Sequence, residues 1–325
     1  MNLATIQQPI EVEFNAFKEY YATLFRSDVP LLDRALSHVS RSNGKMMRPM
    51  LVLLTAKSIA GSVNECTNHA AAALELLHTA SLLHDDVVDE SPMRRGIPSL
   101  HVLFSNRVAI LSGDYIFSSA LRSAALTKNV EIIDSLSSLG QQLSQGELLQ
   151  LQLQQSGGFS EKNYIEVIRN KTASLFATCC RFGALSVGAD APMVDAFTRF
   201  GELLGICFQI KDDIFDYYDS AEVGKPTGSD MREGKITLPA LHVLNTSSDP
   251  FAVELLAKLA DGYTMNDEEI DRLITLSKEC GGIEYANRRI EDFRAEALAT
   301  IPSTVPDELR RALTLYLDFA ISRKK

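Results

Sequence analysis

Residues 82–90 read Leu-Leu-His-Asp-Asp-Val-Val-Asp-Glu, and residues 209–216 read Gln-Ile-Lys-Asp-Asp-Ile-Phe-Asp. Both stretches have the spacing DDxxD, and each follows a run in which apolar residues recur at helical intervals. The run from Thr67 to Val88 is apolar on most faces, which is typical of a helix in the middle of a bundle. Similar patterns cover residues 132–153, 164–186 and 194–215. The sequence therefore predicts an all-α protein with long helices.

The long spacing between prolines supports this interpretation. No proline occurs between Pro98 and Pro192, or between Pro192 and Pro226, which leaves room for long uninterrupted helices. No series of alternating β-branched residues indicates strands, and no flexible linker or repeat divides the chain. We therefore expect a single domain over residues 1–325.

Composition excludes several classes of function. A formal net charge of −10 argues against a nucleic-acid partner, which would require a basic face. No stretch approaches the length of an apolar membrane span, and the first residues lack the pattern of a signal peptide. The five cysteines are scattered and form no CxxC pair, which favours a reducing cytoplasm over a disulfide framework or a zinc site.

The two aspartate clusters carry the chemical signal. Positions i and i+4 of a helix share a face, so Asp85 and Asp89 project together, as do Asp212 and Asp216. Two carboxylates about 6 Å apart repel by about 3 kcal/mol at an effective dielectric near 20. One such cluster is equally compatible with a solvated acidic face, but two with identical spacing and interleaved apolar residues favour a binding site. Because Mg²⁺ shares its coordination between carboxylates and substrate phosphates, the pair predicts a clamp for one diphosphate.

A multiply charged anion also needs direct cationic contacts. Each basic residue near the clusters, taken alone, is more often a surface charge, and the signal is their repeated pairing with acidic helices. These basic residues are Lys45, Arg48, Arg94, Arg95, Lys171, Lys225 and Lys235.

Three segments carry a resemblance to a known family. They are LLHDDVVDESPMRRGIPSLH (82–101), LSQGELLQL (143–151) and FQIKDDIFDYYDSAEVGKPTGSDMREGKITLPALHVL (208–244). In this order they resemble the trans-type polyprenyl diphosphate synthases, which include farnesyl, geranylgeranyl and octaprenyl diphosphate synthases, and the resemblance covers roughly residues 10–323. It implies head-to-tail addition of isopentenyl diphosphate to an allylic diphosphate primer, with as many as three Mg²⁺ ions. It also implies a homodimer whose helices surround a deep central cavity.

The resemblance assigns roles residue by residue. The implied metal ligands are Asp85, Asp89 and Asp212, with Asp213 and Asp216 nearby. The implied contacts to the diphosphate of isopentenyl diphosphate are Lys45, Arg48, His78 and Arg95. Those to the allylic diphosphate are Arg94, Lys171, Lys225 and Lys235.

Oxygen dipoles near the developing carbocation are implied at Thr172 and Gln209. With the metal ligands Asp85, Asp89 and Asp212, and with Lys171, they complete the predicted catalytic set. One departure stands in the segment Asn43-Gly44-Lys45-Met46, where the family usually has a second glycine before the lysine and a basic residue after it.

Product length depends on the depth of the cavity. Ser81 and Ala80 lie four and five residues before Asp85, about 6 to 7.5 Å deeper along the helix, and Leu77 lies one turn below Ser81. Short-chain family members generally place an aromatic floor there, so small residues predict a long product, in the C30–C50 range. The alternative is that they only permit close helix packing.

Other readings of the chain remain open. A farnesyl or geranylgeranyl diphosphate synthase would share all of these motifs. A non-catalytic subunit of a heteromeric synthase would typically lack one or both aspartate clusters, and a terpene cyclase usually carries a different second metal motif.

Overall fold

The helical periodicity of the sequence is realised in long α-helices. The structure is a computed structural model that describes residues 3–41, 44–156, 158–218 and 227–322. Helix accounts for 79% of it, and there is almost no sheet, so the all-α prediction is confirmed.

The elements follow one another from α1 to α17, with one short hairpin. In chain order they are α1 Leu3–Gln7, a 3₁₀ turn Gln8–Ile10, α2 Glu11–Thr23, α3 Pro30–Arg41, α4 Met47–Ala60, α5 Glu65–Val88, β1 Met93–Arg94, β2 Ile97–Pro98, α6 Leu100–Leu103, α7 Asn106–Leu126, α8 Val130–Ser156, α9 Glu161–Ile168, a π-helical turn Arg169–Ala173, α10 Ser174–Ser186, α11 Ala191–Phe215, α12 Ser229–Arg232, α13 Leu238–Thr246, α14 Pro250–Ala260, α15 Asp267–Glu279, α16 Gly282–Thr300 and α17 Asp307–Ser322.

The core is centred on α4, α5, α10 and α11. Every residue of α5 from Ala70 to Leu77 is buried, which confirms that this helix is apolar on most faces and surrounded by others. The buried apolar side chains form a contiguous cluster that extends from Ile6 to Leu317. The single domain over residues 1–325 stays a prediction.

Two glycines let the central helices approach closely. A Cβ atom on Gly183 of α10 would lie 2.5 Å from the carbonyl oxygen of Val52 in α4. A Cβ atom on Gly201 of α11 would lie 2.4 Å from the carbonyl oxygen of Phe176 in α10. Both distances are shorter than any Cβ contact allows, so α10 is held between α4 and α11 at backbone contact distance.

The two helices that carry the aspartate clusters are capped at their N-termini. The Asn64 side chain accepts a hydrogen bond from the Thr67 backbone N–H at 2.9 Å, as part of a capping box that starts α5. The Asp190 side chain accepts one from the Met193 N–H at 3.0 Å, and Pro192 follows in the first turn of α11. Both helices therefore begin far from the clusters and present them at their C-terminal ends.

The helix predicted over residues 164–186 is interrupted. The structure divides it into α9, the π-helical turn Arg169–Ala173 and α10. A π-helical turn widens the hydrogen-bonding ladder by one residue and is frequent at functional sites. This one carries Lys171 and Thr172, both assigned to the substrate site by the sequence.

The short hairpin β1–β2 was not predicted. Its strands pair antiparallel, with Arg94 opposite Ile97, and the two residues between them, Arg95 and Gly96, have φ values of 52° and 78°. Positive φ at both central positions is the signature of a type I′ turn, which suits a two-residue hairpin. Within the described residues, no helix is long and apolar enough to cross a membrane.

Gly201→Ala is expected to lower the free energy of unfolding by about 1–3 kcal/mol, because the methyl group has to displace the backbone of α10. At an open helical position the same change would stabilise by about 0.5–1 kcal/mol. Chemical denaturation measures the difference. The control is Asp195→Ala, an exposed position of the same helix, which should stay within about 0.5 kcal/mol of the parent chain. A Gly201→Ala protein as stable as its parent would contradict the close contact.

Candidate active site

Both DDxxD clusters lie at the negative ends of helices. Asp85 and Asp86 are in the last turn of α5 and Asp89 is its C-cap residue, and neither α5 nor α11 has a basic residue in its last turn. Asp212 and Asp216 occupy the corresponding positions of α11. Carboxylates at a helix C-terminus are opposed by the helix dipole, so each end needs an external positive charge.

The middle aspartate of each cluster is buried and bonded inside the protein. Asp86 is 3% exposed and accepts from Arg94 of the hairpin, at 2.8 Å from Nε and 2.6 Å from Nη2. Asp213 is 5% exposed; its Oδ2 accepts from the Tyr164 hydroxyl at 2.6 Å and its Oδ1 from the Gln209 amide at 2.7 Å. These two residues organise the site from within.

The first and last aspartates have different surroundings. Asp85, Asp89 and Asp212 are exposed. Asp216 is half-buried, and its two carboxylate oxygens accept from the backbone N–H groups of Ser229 and Asp230, each at 3.0 Å. Asp216 thus fixes the start of α12 against the end of α11.

The electrostatic surroundings of Asp85 extend to α8 and the π-helical turn. Loss of hydration raises the pKa of Asp85, and the charges of Glu147 and Asp89 add to this. The positive charges of Lys171 and Arg94 oppose the shift. Lys171 is itself paired with Glu147, at 2.6 Å between Nζ and Oε1. The first cluster therefore faces a cation that is already shared with a carboxylate of α8.

A pocket of about 150 Å³ lies beside the second cluster. Its polar lining brings together five predicted site residues, and Tyr164 and Asp230 join them. The five are Lys171, Thr172, Gln209, Asp213 and Lys235. Apolar side chains complete the walls, among them Leu153, Phe159, Val167, Ile168, Ile236 and Leu241.

Asp230 adds a further carboxylate to this end of the site. Burial raises the pKa of Asp230 to about 6, and the charge of Asp216 adds to the shift while that of Lys235 opposes it. Asp212 also contributes to raising this pKa. The side chain of Lys235 is paired with Glu233, and the charge of Glu147 also acts to raise the pKa of Lys235. The charge of Glu147 therefore acts both on Asp85 of the first cluster and on Lys235 beside the second cluster.

A second group of cations lies on α4, α5 and the hairpin. Burial, and then the charges of Arg48, Arg95 and Arg94, hold the pKa of His78 well below its ordinary value, so this imidazole is neutral at neutral pH. Glu75 is 8% exposed; burial raises its pKa, and Arg48 and Arg95 oppose that shift. The structure therefore brings Arg48, His78 and Arg95 together around a buried carboxylate.

The start of α4 joins this second group. A Cβ atom on Gly44 would lie 2.6 Å from Nη1 of Arg95, so the segment before Lys45 adjoins the Arg95 guanidinium. The Nζ of Lys45 lies 5.4 Å from the ring centre of Phe319 in α17, and the Tyr316 hydroxyl donates to the Met47 carbonyl at 2.9 Å. The C-terminal helix thus supports the loop that carries Lys45.

Backbone strain is concentrated around these groups. Among the described residues, four other than glycine have positive φ, and three border the site: Met46 at 48°, Glu90 at 50° and Arg95 at 52°. The left-handed conformation is costly for side chains of this size. It is retained where the chain turns sharply beside Lys45, beside Asp89 and at the tip of the hairpin.

Comparison with known proteins decides the family. The family described as Polyprenyl synthetase matches residues 29–276, which is more than half of the chain. The chain belongs to that family. It is a prenyltransferase with the all-α fold of the polyprenyl synthases.

Several relatives match along their whole length. An octaprenyl diphosphate synthase from Haemophilus influenzae is 31% identical, with 99% of this chain and 98% of the relative covered. A geranylgeranyl pyrophosphate synthase structure from Bacteroides thetaiotaomicron is 46% identical, with a TM-score of 0.83 and 99% of both chains covered. A polyprenyl synthase structure from Caulobacter crescentus, with calcium and isoprenyl diphosphate bound, is 31% identical, with a TM-score of 0.88, and covers 100% of this chain and 98% of its own.

The side chains of this prenyltransferase fit a hard divalent cation. The exposed groups at both helix ends are carboxylates, the oxygen donors that Mg²⁺ prefers. Burial, and then the charges of Glu147 and Asp89, raise the pKa of Asp85, and the dipole of α5 adds negative potential at the same helix end. Among the described residues, no three His, Cys, Asp or Glu side chains form a group that could hold an ion by themselves.

The remaining predicted residues lie as follows. Lys225 is outside the described residues. Leu77 and Ala80 are buried in α5, and the Ser81 hydroxyl donates to the His78 carbonyl of the same helix at 3.0 Å.

Sequence reasoning missed four side chains of the prenyltransferase site. Glu147 and Asp230 lie inside the segments that carry the family resemblance, so their positions were available. Glu75 stands one turn before His78 and is the one charged residue of the otherwise apolar stretch 70–77, which is a signal in itself. Tyr164 has no local signal, because its partner Asp213 is 49 residues away in the chain.

The ionisation of Asp213 predicts a pH-dependent stability. Burial, then the charge of Asp230, raise the pKa of Asp213 to about 8, against the hydrogen bonds from Tyr164 and Gln209. The folded chain then binds this proton more tightly than the unfolded chain, so its stability falls as pH rises from about 4 to about 8. Asp213→Asn should therefore raise the melting temperature of the metal-free protein more at pH 8 than at pH 5.

The matched control for this measurement is Asp86→Asn. Asp86 is equally buried but is paired with Arg94, so its neutralisation should lower the melting temperature at both pH values. A gain for Asp213→Asn that is no larger at pH 8 than at pH 5 would contradict the raised pKa.

Proposed function

We propose that this chain is a Mg²⁺-dependent trans-polyprenyl diphosphate synthase that adds isopentenyl diphosphate to an allylic diphosphate. The observation that carries the proposal is the pair of anion-binding groups on different elements. Lys171 and Lys235 lie beside the carboxylate ends of α5 and α11, while Arg48, His78 and Arg95 surround a separate buried carboxylate. Two diphosphate substrates require two such groups.

The allylic diphosphate is assigned to the carboxylate ends. Asp85, Asp89 and Asp212 would hold Mg²⁺ there, and the bound ions would supply positive charge to the departing diphosphate. Lys171 and Lys235 bind the same diphosphate directly. When it binds, it replaces Glu147 as the partner of Lys171 and Glu233 as the partner of Lys235. Arg94 orients the end of α5 through Asp86.

The carbocation formed by cleavage of the allylic carbon–oxygen bond is assigned to the pocket beside Gln209. The Thr172 hydroxyl donates to the Gln209 amide oxygen at 2.8 Å, so lone pairs of the Thr172 oxygen remain for the pocket. Oriented oxygen dipoles stabilise developing positive charge without reorganisation. The double bond of isopentenyl diphosphate attacks the cation, and the released diphosphate accepts the proton that is lost.

Isopentenyl diphosphate is assigned to Lys45, Arg48, His78 and Arg95. Arg48 and Arg95 provide charge, while the neutral His78 provides a hydrogen bond. Glu75 reduces the mutual repulsion of the two guanidinium groups when the substrate is absent. Without substrate the group keeps a net positive charge, which attracts the diphosphate.

For the product, we propose a chain in the C30–C50 range. The small residues Ala80 and Ser81 below Asp85 support it, as do relatives named for octaprenyl, nonaprenyl and decaprenyl products at about 30% identity. A C20 product is the second candidate, and it is favoured by the 46% identity to the geranylgeranyl pyrophosphate synthase.

We further propose a cytoplasmic homodimer. The face formed by α7 and α8 exposes large apolar side chains, which is unusual for an unpartnered surface. They are Ile110, Leu111, Tyr115, Phe117, Leu121, Leu148 and Leu151. A second copy of the chain would cover them, and the five unpaired cysteines fit a reducing compartment.

Asp85→Ala tests the diphosphate clamp. Removal of this carboxylate should lower the rate of isopentenyl diphosphate incorporation with Mg²⁺ by about 10²- to 10³-fold, because the negative charge on the leaving group loses part of its stabilisation. Incorporation of radiolabelled isopentenyl diphosphate by the purified chain alone measures this. Asp271→Ala, an exposed position on α15, is the control and should retain full activity. Near-normal turnover of Asp85→Ala, or an inactive parent chain, would refute the proposal.

Ala80→Phe tests the control of product length. An aromatic side chain one turn below the aspartates should close the cavity and shorten the product by several isoprene units. Chromatography of the dephosphorylated products measures the chain length, and a melting curve detects overpacking of about 1–3 kcal/mol. Ser81→Ala keeps the position small and should leave the length unchanged. A parent product of C20, or an unchanged length in Ala80→Phe, would remove Ala80 from this role.

A further inference from the structure

Four side chains of the pocket form a continuous hydrogen-bonded relay. The Thr172 hydroxyl donates to the Gln209 amide oxygen at 2.8 Å, and the Gln209 amide nitrogen donates to Asp213 Oδ1 at 2.7 Å. From the other side, the Tyr164 hydroxyl donates to Asp213 Oδ2 at 2.6 Å. All four residues line the pocket, and Tyr164 and Asp213 are 8% and 5% exposed.

The relay has a single polarity. With Asp213 ionised, every donor in the relay points towards its carboxylate, which accepts at both oxygens. The Gln209 amide is thereby held with its nitrogen towards Asp213 and its oxygen towards Thr172. The Thr172 hydrogen is used within the relay, so its oxygen presents lone pairs elsewhere. A flipped amide would instead present N–H to Thr172 and turn the hydroxyl hydrogen outward. The partial positive charge of that hydrogen would then face the cation and repel it.

Tyr164 supplies the part of this relay that α11 cannot supply. Gln209 and Asp213 are four residues apart on one helix face, so their contact is local. Tyr164 comes from α9, and the π-helical turn that carries Thr172 begins directly after that helix. Its hydroxyl occupies the second oxygen of Asp213 and so restrains rotation of the carboxylate plane. A buried carboxylate oxygen that lost this donor would seek another, and the Gln209 amide is the nearest.

We propose that Tyr164 is a positioning residue for the condensation: through Asp213 it fixes the orientation of the Gln209 amide and hence the negative dipole that faces the carbocation. The inference rests on the proposed function and assigns a role to a residue whose hydroxyl hydrogen is already donated to Asp213. Its effect is therefore on the chemical step, with substrate binding left intact.

The test is Tyr164→Phe in the Mg²⁺-loaded enzyme, with farnesyl diphosphate and isopentenyl diphosphate as substrates. The loss of one hydrogen bond to a carboxylate should lower the single-turnover rate by about 10- to 100-fold. The KM values for both substrates should stay within about 2-fold, because the cationic contacts are unchanged. Tyr20→Phe is the matched control, since Tyr20 is partly buried and its hydroxyl bonds to His69 Nδ1 at 2.9 Å near the start of α5, far from the relay. This control should keep the parent rate.

A double-mutant cycle separates positioning from general stability. If Tyr164 acts through Gln209, then Tyr164→Phe should cost little in a Gln209→Ala background, where no amide remains to be oriented. A single-turnover rate for Tyr164→Phe within about 2-fold of the parent, or an equal loss in both backgrounds, would overturn the proposal. An inactive parent chain would instead refute the proposed function, so the two failures are distinguishable.

Discussion

The site depends on one electrostatic conflict: carboxylates stand at the negative ends of two buried helices. Asp85 and Asp89 end α5, and Asp212 and Asp216 end α11, with no basic residue in either last turn. Ordinary helices place acidic residues at the other end, where the dipole stabilises them. The fold tolerates the conflict because both helices are anchored by caps at their N-termini and bury much of their length in the core. The unfavourable charge is thus retained where a cation and a diphosphate can relieve it.

The aspartates of each DDxxD cluster have two different structural roles. The middle aspartates are buried inside the protein. Asp86 is paired with Arg94, and Asp213 accepts hydrogen bonds from Tyr164 and Gln209. The outer ones face outward or cap the next segment. Helical geometry imposes this division, because position i+1 is rotated by about 100° from position i. An acidic cluster at a buried helix end must therefore provide an internal partner for its second residue before the others can bind anything.

Sequence periodicity was sufficient for the fold class and for the helices that carry the clusters. The repeating apolar pattern predicted α5 and α11 nearly to their ends, because helix formation there is a local consequence of spacing. It failed at the π-helical turn and at the hairpin. The left-handed conformations of Met46 and Arg95 are imposed by surrounding packing and have no propensity signal. The contact of Tyr164 with Asp213 joins distant parts of the chain, and single-sequence reasoning has no access to such pairs.

In the proposed function, the same helix connects the chemistry with the size of the product. Asp85 stands at the end of α5, and the buried residues below it, from Ala80 to Leu77, belong to the core. A growing apolar chain that follows this helix exchanges contacts with water for contacts with such side chains, at about 0.8 kcal/mol for each methylene. Elongation is then favourable until a bulky side chain blocks the path. In this proposal the diphosphate is held at a fixed point on the helix. The distance from it to the first large residue would then set the chain length of the product.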